Sequence, residues 1–190
     1  MHDTKTTGAS RRAFLAGIFA SVSVAAAPQY AKAAGFLRGA GDIRRIRLYS
    51  RRTGESLNTI YWLEGKYIPE AVAEINWFMR DWRQNEVIRY DRRNIDIMAA
   101  TLQLMDTDEA YHVVSGYRSP ATNAMLRSSN RGVARNSYHV KGMAADLKHS
   151  VRSIHQMARA AEACNAGGVG KYGRSNFVHM DCGPVRTWRG

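Results

Sequence analysis

Three residues in the second half of the chain could together bind a metal ion: His139, Asp146 and His179. Two imidazoles and one carboxylate suit Zn²⁺ and leave a fourth coordination position for water. The spacing of seven between His139 and Asp146 cannot bring both to one metal from a helix, as the i, i+4 spacing of HExxH does, and Gly142 predicts a turn between a loop and a strand. Because many proteins contain two histidines and an aspartate, this spacing alone leaves both a metal site and unrelated residues open.

The elements that must position these residues follow from the apolar pattern of the chain. Alternating residues predict strands, and apolar residues at helical spacing predict helices. The predicted strands cover residues 46–50, 57–63, 112–114, 144–147, 169–172 and 176–181. The predicted helices cover residues 68–82, 91–105, 121–127 and 150–165. A long polar loop over residues 128–142 carries His139, and such loops usually carry function.

This arrangement predicts an α+β fold with a small antiparallel sheet flanked by helices. Helices dominate the earlier part of the pattern, and short strands gather late. The chain shows no internal repeat and no linker after residue 40, so residues 34–190 are expected to form a single domain.

The first 33 residues predict a twin-arginine signal peptide. Arg11 and Arg12 precede an apolar stretch over residues 13–27 that is too short to span a membrane. Small residues favour cleavage after Ala33. We therefore expect export by the twin-arginine translocation machinery to the periplasm, with no stable membrane insertion after cleavage. The alternative is a buried N-terminal helix.

The charge composition limits the classes of binding partner that the protein is expected to have. The 190 residues include 28 Lys and Arg against 16 Asp and Glu, a formal net charge of +12. Such an excess fits nucleic acid, an anionic surface or a secreted basic protein. Export and the lack of any nucleic-acid-binding motif argue against nucleic acid. An anionic polymer of the cell envelope is the expected partner, although the charge could also belong to a solvated face.

The order of short motifs resembles the zinc D,D-peptidases of the M15 (LAS) superfamily. Residues 137–146 read Ser-x-His-x-x-Gly-x-Ala-x-Asp, and a histidine in a late strand follows. Within the superfamily the chain is most similar to the murein endopeptidase K type, also described as DUF882, over nearly all of residues 44–189. The matching pieces include Tyr61-Trp62, Arg80-Asp81-Trp82-Arg83, Ser115-Gly116-Tyr117-Arg118-Ser119-Pro120, Phe177-Val178-His179-Met180-Asp181 and Val185-Arg186-Thr187-Trp188.

The resemblance implies a zinc enzyme with His139, Asp146 and His179 as its metal ligands. Arg118 matches an arginine that faces the substrate in the superfamily, where a guanidinium can bind a peptide carboxylate or stabilise an oxyanion. The alternative for Arg118 is a clamp that holds the long loop. Ser137 is expected either to contact substrate or to make a hydrogen bond within the loop.

The chain departs from many relatives at the general base. Those relatives place a glutamate or histidine just before the last ligand, where this chain has Asn176 and Phe177, which cannot take a proton. The nearest carboxylate is Asp181, on the same strand face as His179. Asp181 is either the catalytic base or a residue that orients a ligand imidazole. Because the murein endopeptidase K type has the same Phe-Val-His-x-Asp pattern, the departure marks a subfamily.

The cysteines and the other histidines have weaker functional signals. An oxidising compartment permits a disulfide between Cys164 and Cys182, and the sequence leaves this pairing open. A fourth metal ligand from Cys182 is not expected, because it would close the site to water. His149 is a minor active-site candidate, whereas His112 and His155 are expected to be ordinary residues.

The predicted function is a periplasmic, zinc-dependent peptidoglycan endopeptidase that cleaves the peptide cross-links of murein during cell-wall remodelling. One alternative is a D,D-carboxypeptidase that trims stem peptides. Another, which the missing base leaves open, is a peptidoglycan-binding module without catalytic activity.

Overall fold

A computed structural model describes residues 42–130 and 132–190, so the predicted signal peptide and its cleavage site lie outside the described residues. Eight strands form one sheet in this part of the chain. The strands are β1 (Ile43–Tyr49), β2 (Ser56–Leu63), β3 (Lys66–Tyr67), β4 (Tyr111–Ser115), β5 (Ala144–His149), β6 (Gly168–Tyr172), β7 (Phe177–Asp181) and β8 (Arg186–Arg189). The helices are α1 (Pro69–Phe78), α2 (Arg92–Leu104), α3 (Pro120–Ser129) and α4 (Ile154–Cys164), with a 3₁₀-helix at Tyr138–Lys141.

The strand order across the sheet is β3-β2-β1-β4-β5-β7-β6-β8. The pairings of β1 with β4 and of β6 with β8 are parallel, and the other pairings are antiparallel. The predicted α+β class is confirmed, with a sheet that is larger than expected and mixed. The chain between β1 and β4 passes through β2, β3, α1 and α2, and a parallel neighbour requires such a long crossover.

One face of the sheet carries the hydrophobic core. Ile46 and Leu48 of β1, Leu147 of β5 and Met180 of β7 are buried in this core. Helices α1, α2 and α4 pack against the strands there, and α2 also packs against α4. Because side chains alternate along a strand, the residues between these core positions point to the opposite face. We call that opposite side the open face; it includes His112, Ser115, Asp146, Lys148, His179 and Asp181.

A buried aspartate on α2 makes hydrogen bonds to three strands of the sheet. Asp96 of α2 accepts hydrogen bonds from Tyr61 of β2 at 2.9 Å and from Tyr67 of β3 at 2.6 Å. Its carboxylate also pairs with the guanidinium of Arg44 of β1 at 3.0 Å. One side chain therefore connects a helix to three neighbouring strands.

Helix α1 is shorter than the sequence pattern predicts. It ends at Phe78, and an isolated bridge between Asp81 and Glu86 closes a turn after it. Asn85 adopts a positive φ of 52° within this turn. Trp82 therefore lies in the turn with 37% of its surface exposed, and its predicted place on the core stripe of a helix is wrong.

The other predicted helices occur close to their expected bounds. Asp91 caps α2 as predicted, because its side chain accepts a hydrogen bond from the backbone N–H of Arg93. Helix α4 begins later than predicted, since Ser153 and Gln156 form a capping box before Ile154. Among the described residues, no helix has both the length and the apolar character that crossing a membrane requires.

Candidate metal centre

The three predicted ligands meet on the open face at the centre of the sheet. His139 comes from the 3₁₀-helix, and Asp146 of β5 lies directly opposite His179 of β7 in the strand register. Asp146 Oδ1 lies 2.8 Å from His179 Nδ1 and 3.2 Å from His139 Nε2, and the two nitrogens are 3.2 Å apart. All three residues are buried, and one donor atom from each lies within 4.8 Å of the others.

The sequence around His139 explains how a residue outside the strands is positioned in the buried site. The Ser137 hydroxyl caps the 3₁₀-helix by accepting a hydrogen bond from the His139 N–H. Gly142 ends this helix with a φ of 64°. A side chain at Gly142 would also approach Ile88 Cγ2 to 2.9 Å, so glycine is required for the turn into β5. The loop hydrogen bond expected of Ser137 is present, while its contact with substrate stays a prediction.

Both imidazoles are oriented by hydrogen bonds from their outer nitrogens. His139 Nδ1 donates to the Gly116 carbonyl at 2.7 Å, and His179 Nε2 donates to Asp181 Oδ2 at 2.9 Å. In the neutral rings, the nitrogens that face Asp146 therefore present lone pairs. Two lone pairs at 3.2 Å repel each other unless a cation lies between them. The donor set thus fits a divalent metal with its supporting shell already in place.

The electrostatics of the site favour an ionised carboxylate beside the two rings. When a proton rather than a metal ion lies between these atoms, burial opposes ionisation, but the charges and hydrogen bonds of His139 and His179 hold the pKa of Asp146 far below its ordinary value. Burial lowers the pKa of His139. Although burial acts the same way on His179, hydrogen bonds to Asp146 and Asp181 raise the pKa of His179. Asp146 is therefore ready to act as an anionic ligand.

Asp181 is completely buried and already engaged through both carboxylate oxygens. Its Oδ2 accepts from His179 and from Arg186 Nη2 at 2.6 Å. Its Oδ1 accepts from Arg186 Nη1 at 3.0 Å and from the backbone N–H groups of Gly183 and Gly168. Despite burial, the bonds to His179 and Arg186 keep the pKa of Asp181 well below its usual range. The carboxylate lies behind the His179 ring, on the side away from the three donor atoms.

Arg118 touches the site through both its side chain and its backbone. Its Nη2 donates to Asp146 Oδ2 at 3.0 Å, and its Nε donates to the Ser115 hydroxyl. Its backbone N–H donates to the carbonyl of His139 at 3.2 Å. The arginine therefore holds the loop that carries His139, as one alternative from the sequence states, and its action on substrate stays a prediction.

The remaining sequence candidates lie elsewhere. His149 is three positions after Asp146 on β5, an odd step that places it on the core face, where its ring packs edge-on against Tyr111. Its minor candidacy for the active site is therefore wrong. Cys164 and Cys182 are both free. Burial raises the pKa of the Cys182 thiol to about 12, so it remains protonated at neutral pH.

Sequence reasoning missed three groups that build the site. Arg186 holds Asp181, the Gly116 carbonyl orients His139, and the Trp188 ring centroid lies 5.3 Å from that of His179. The motifs that contain these residues were part of the family resemblance, which gave them no role. Gly116 has no room for a side chain, since a Cβ would come within 2.6 Å of the Met79 carbonyl oxygen.

The fold and the site together define a candidate metal-dependent hydrolase. Residues 38–188 match the family model Peptidase_M15_2, described as peptidoglycan L,D-endopeptidase MepK, and the chain belongs to this family. Membership confirms the predicted class of enzyme, a peptidoglycan endopeptidase.

Two relatives by sequence agree with the family match. The peptidoglycan L,D-endopeptidase MepK of Escherichia coli strain K12 is 41% identical over 145 residues, which are 76% of this chain and 80% of that protein. A probable peptidoglycan L,D-endopeptidase MepK of Haemophilus influenzae is 40% identical over 141 residues, covering 73% and 75% of the two chains. The crystal structure of the L-Ala D-Glu endopeptidase ChiX of Serratia marcescens aligns with a TM-score of 0.40 and 16% identity, over 59% of this chain and 86% of that one.

Proposed function

We propose that this chain is a zinc-dependent peptidoglycan endopeptidase that cuts murein cross-links at a bond between an L- and a D-centre. The observation that carries the proposal is the convergence of three buried donor atoms whose outer partners are already fixed. The bond type comes from the names of the relatives, which are L,D-endopeptidases.

Zinc is the proposed metal because two imidazoles and one carboxylate form a mixed nitrogen and oxygen ligand set. His139 would bind through Nε2, His179 through Nδ1 and Asp146 through Oδ1, since these atoms face one another. When bound, zinc supplies a Lewis acid for the scissile amide and lowers the pKa of the attacking water.

The surrounding residues have separate proposed roles. Asp181 positions His179, because its carboxylate reaches the ring nitrogen that faces away from the donor atoms. Arg118 is proposed to stabilise negative charge on the substrate, as its guanidinium lies beside Asp146 in a largely buried position. Ser137 is proposed as a substrate contact that also caps the loop.

The periplasm is the proposed site of action, reached by twin-arginine export and removal of residues 1–33. The paired Arg11 and Arg12 before a short apolar stretch support this route. Mass spectrometry of the protein from the periplasmic fraction should find a chain that begins at Ala34. A periplasmic chain that retains Met1 would contradict the proposed cleavage.

The decisive experiment is digestion of purified murein sacculi by the protein with and without zinc, followed by separation of the muropeptides. We expect loss of cross-linked dimers that requires both zinc and His139. His139→Ala should abolish it, whereas His155→Ala, a histidine on α4 outside the cluster, should not. Release of single D-amino acids with dimers preserved would favour the carboxypeptidase alternative, and binding without any muropeptide change would favour the binding module.

A further inference from the structure

A groove of positive charge adjoins the candidate metal centre. It has a volume of about 380 Å³ and is lined by Arg51, Arg52, His112, Val113, Val114 and Lys148. We call it the basic groove. Lys148 is two residues after Asp146 on β5, so both side chains project from the open face roughly 7 Å apart along the strand. The register of the sheet pairs Lys148 with His112 of β4, which places one wall of the groove next to the site.

The positive charge continues from the basic groove towards Arg118. The guanidinium of Arg52 lies 5.8 Å from the ring centroid of Trp82, and that of Arg83 lies 4.3 Å from the same centroid. Burial and the charges of Arg52 and Arg118 lower the pKa of Arg83, although Asp81 opposes this shift. Arg52 and Arg83 therefore lie against the same aromatic ring.

Hydrogen bonds fix this turn against the segment that carries Arg118. Asp81 accepts from the backbone N–H of Ser119 at 2.9 Å, and the Tyr117 hydroxyl donates to Glu86 at 2.7 Å. The other oxygen of Asp81 accepts from the backbone N–H of Arg83 at 3.1 Å. Trp82 and Arg83 are thus held in place beside the site by the two residues that flank Arg118.

These cations form no close ion pair within the described part of the chain, although the charge of Asp81 acts on Arg83. Arg44, Arg80, Arg118 and Arg186 each pair with a carboxylate at 3.0 Å or less. No ion pair within 4.0 Å forms at Arg51, Arg52, Arg83 or Lys148 among residues 42–130 and 132–190. Four cations close together with one acidic neighbour still repel one another, and an anionic ligand would reduce this repulsion.

We propose that the basic groove, together with Arg83, is a subsite that binds free carboxylates of the murein peptide next to the bond being cut. This rests on the proposed function, because a peptide held at the metal centre would extend along the open face. Peptides of murein carry several free carboxylates, and guanidinium groups bind carboxylates with strong charge-assisted hydrogen bonds. The subsite therefore contributes to substrate selection rather than to bond cleavage.

The test compares two cross-linked muropeptide dimers, one with free carboxylates and one with the same groups amidated. We expect Arg52→Gln to raise KM for the free form by about fivefold, and the double change Arg52→Gln with Lys148→Gln to raise it further, with kcat retained. The KM for the amidated dimer should stay at its wild-type value. Arg159→Gln removes one positive charge from the exposed side of α4, which packs on the core face of the sheet. This control should leave the KM values for both dimers unchanged.

Equal effects on both dimers, an equal effect of Arg159→Gln, or no effect at all would overturn the subsite. A binding measurement separates this outcome from failure of the proposed function. Calorimetry on protein freed of metal by a chelator should show tighter binding of the free-carboxylate dimer, and Arg52→Gln should remove that preference. If the metal-free protein shows this preference but the zinc-loaded protein does not cleave, the subsite is supported and the proposed endopeptidase activity is contradicted. If neither dimer binds, the subsite is contradicted.

Discussion

The carboxylate of Asp181 shows how a single residue is assigned by its hydrogen bonds. Its Oδ2 faces the outer nitrogen of His179, and the guanidinium of Arg186 donates a hydrogen bond to each of its two oxygens. A general base needs an oxygen directed at the attacking water. Asp181 instead faces the ring that presents a donor atom to the metal, so the orienting role is favoured over the catalytic one.

Asp181→Asn provides a test of this assignment. Loss of the anion should weaken the orientation of His179 and lower zinc affinity by about 10- to 100-fold. Activity should fall at limiting zinc and recover when zinc is in excess. Competition with a chelator measures the affinity, and Asp108→Asn, which changes an exposed aspartate, is the control.

A base would behave differently in the same assay. The rate would fall by about 10²- to 10⁴-fold while zinc stayed bound, and added metal would not restore it. That result would support the alternative from the sequence, in which Asp181 is the general base.

Some residues of the site could be predicted from the sequence, and others could not. His139, Asp146 and His179 could be predicted because the order of their motifs is specific, although their spacing is not. Arg186 and the Gly116 carbonyl could not, because each acts only through a contact that the folded chain creates. A backbone carbonyl in particular carries no sequence signal for its role.

At the level of elements, Asp96 is a buried connection between α2 and three strands, and its loss should be costly. Removing one partner from a buried ionic network leaves the others desolvated without compensation. We expect Asp96→Ala to lower the free energy of unfolding by about 3–5 kcal/mol, because Tyr61, Tyr67 and Arg44 all donate to this carboxylate.

Urea unfolding followed by circular dichroism measures this effect. Asp108→Ala is the matched control, because the Asp108 side chain is 94% exposed in its pair with Arg47. We expect the control to change stability by about 0–1 kcal/mol. Equal losses for the two variants would contradict the proposed importance of the buried network.

The elements themselves were predictable where local signals are strong. The Asp91 cap and the alternation of β1 and β2 are examples. The two-residue strand β3 and the edge strand β8 were missed, because neither has an apolar alternation of its own. The early end of α1 was missed because Trp82 continues the apolar spacing, while the bridge between Asp81 and Glu86 closes a turn there.

For the whole molecule, the α+β class could be predicted but the mixed sheet could not. One of its two parallel pairings joins Leu48 to Tyr111, residues far apart in the chain, and no local pattern encodes such a contact. This pairing joins β1 to β4, and β4 in turn pairs with β5, which carries Asp146 at the centre of the open face. Global topology thus decides where the ligands predicted from local motifs meet.

Because the ligands come from the loop before β5, from β5 and from β7, a bound metal should stabilise the molecule as a whole. A ligand that binds only the folded state adds about 2.7 kcal/mol of stability at one hundred times its Kd. For a chain of this size we therefore expect zinc to raise Tm by about 5–10 °C above that of the metal-free protein.

Differential scanning calorimetry of chelator-treated protein, with and without added zinc, measures this shift. His139→Ala should nearly abolish the zinc-dependent part of Tm, whatever its effect on the metal-free protein, because a ligand is missing. His155→Ala should retain the full shift, since His155 lies on α4 away from the cluster. An unchanged Tm on zinc addition to the wild-type protein would mean that these three residues do not hold the metal in the folded state.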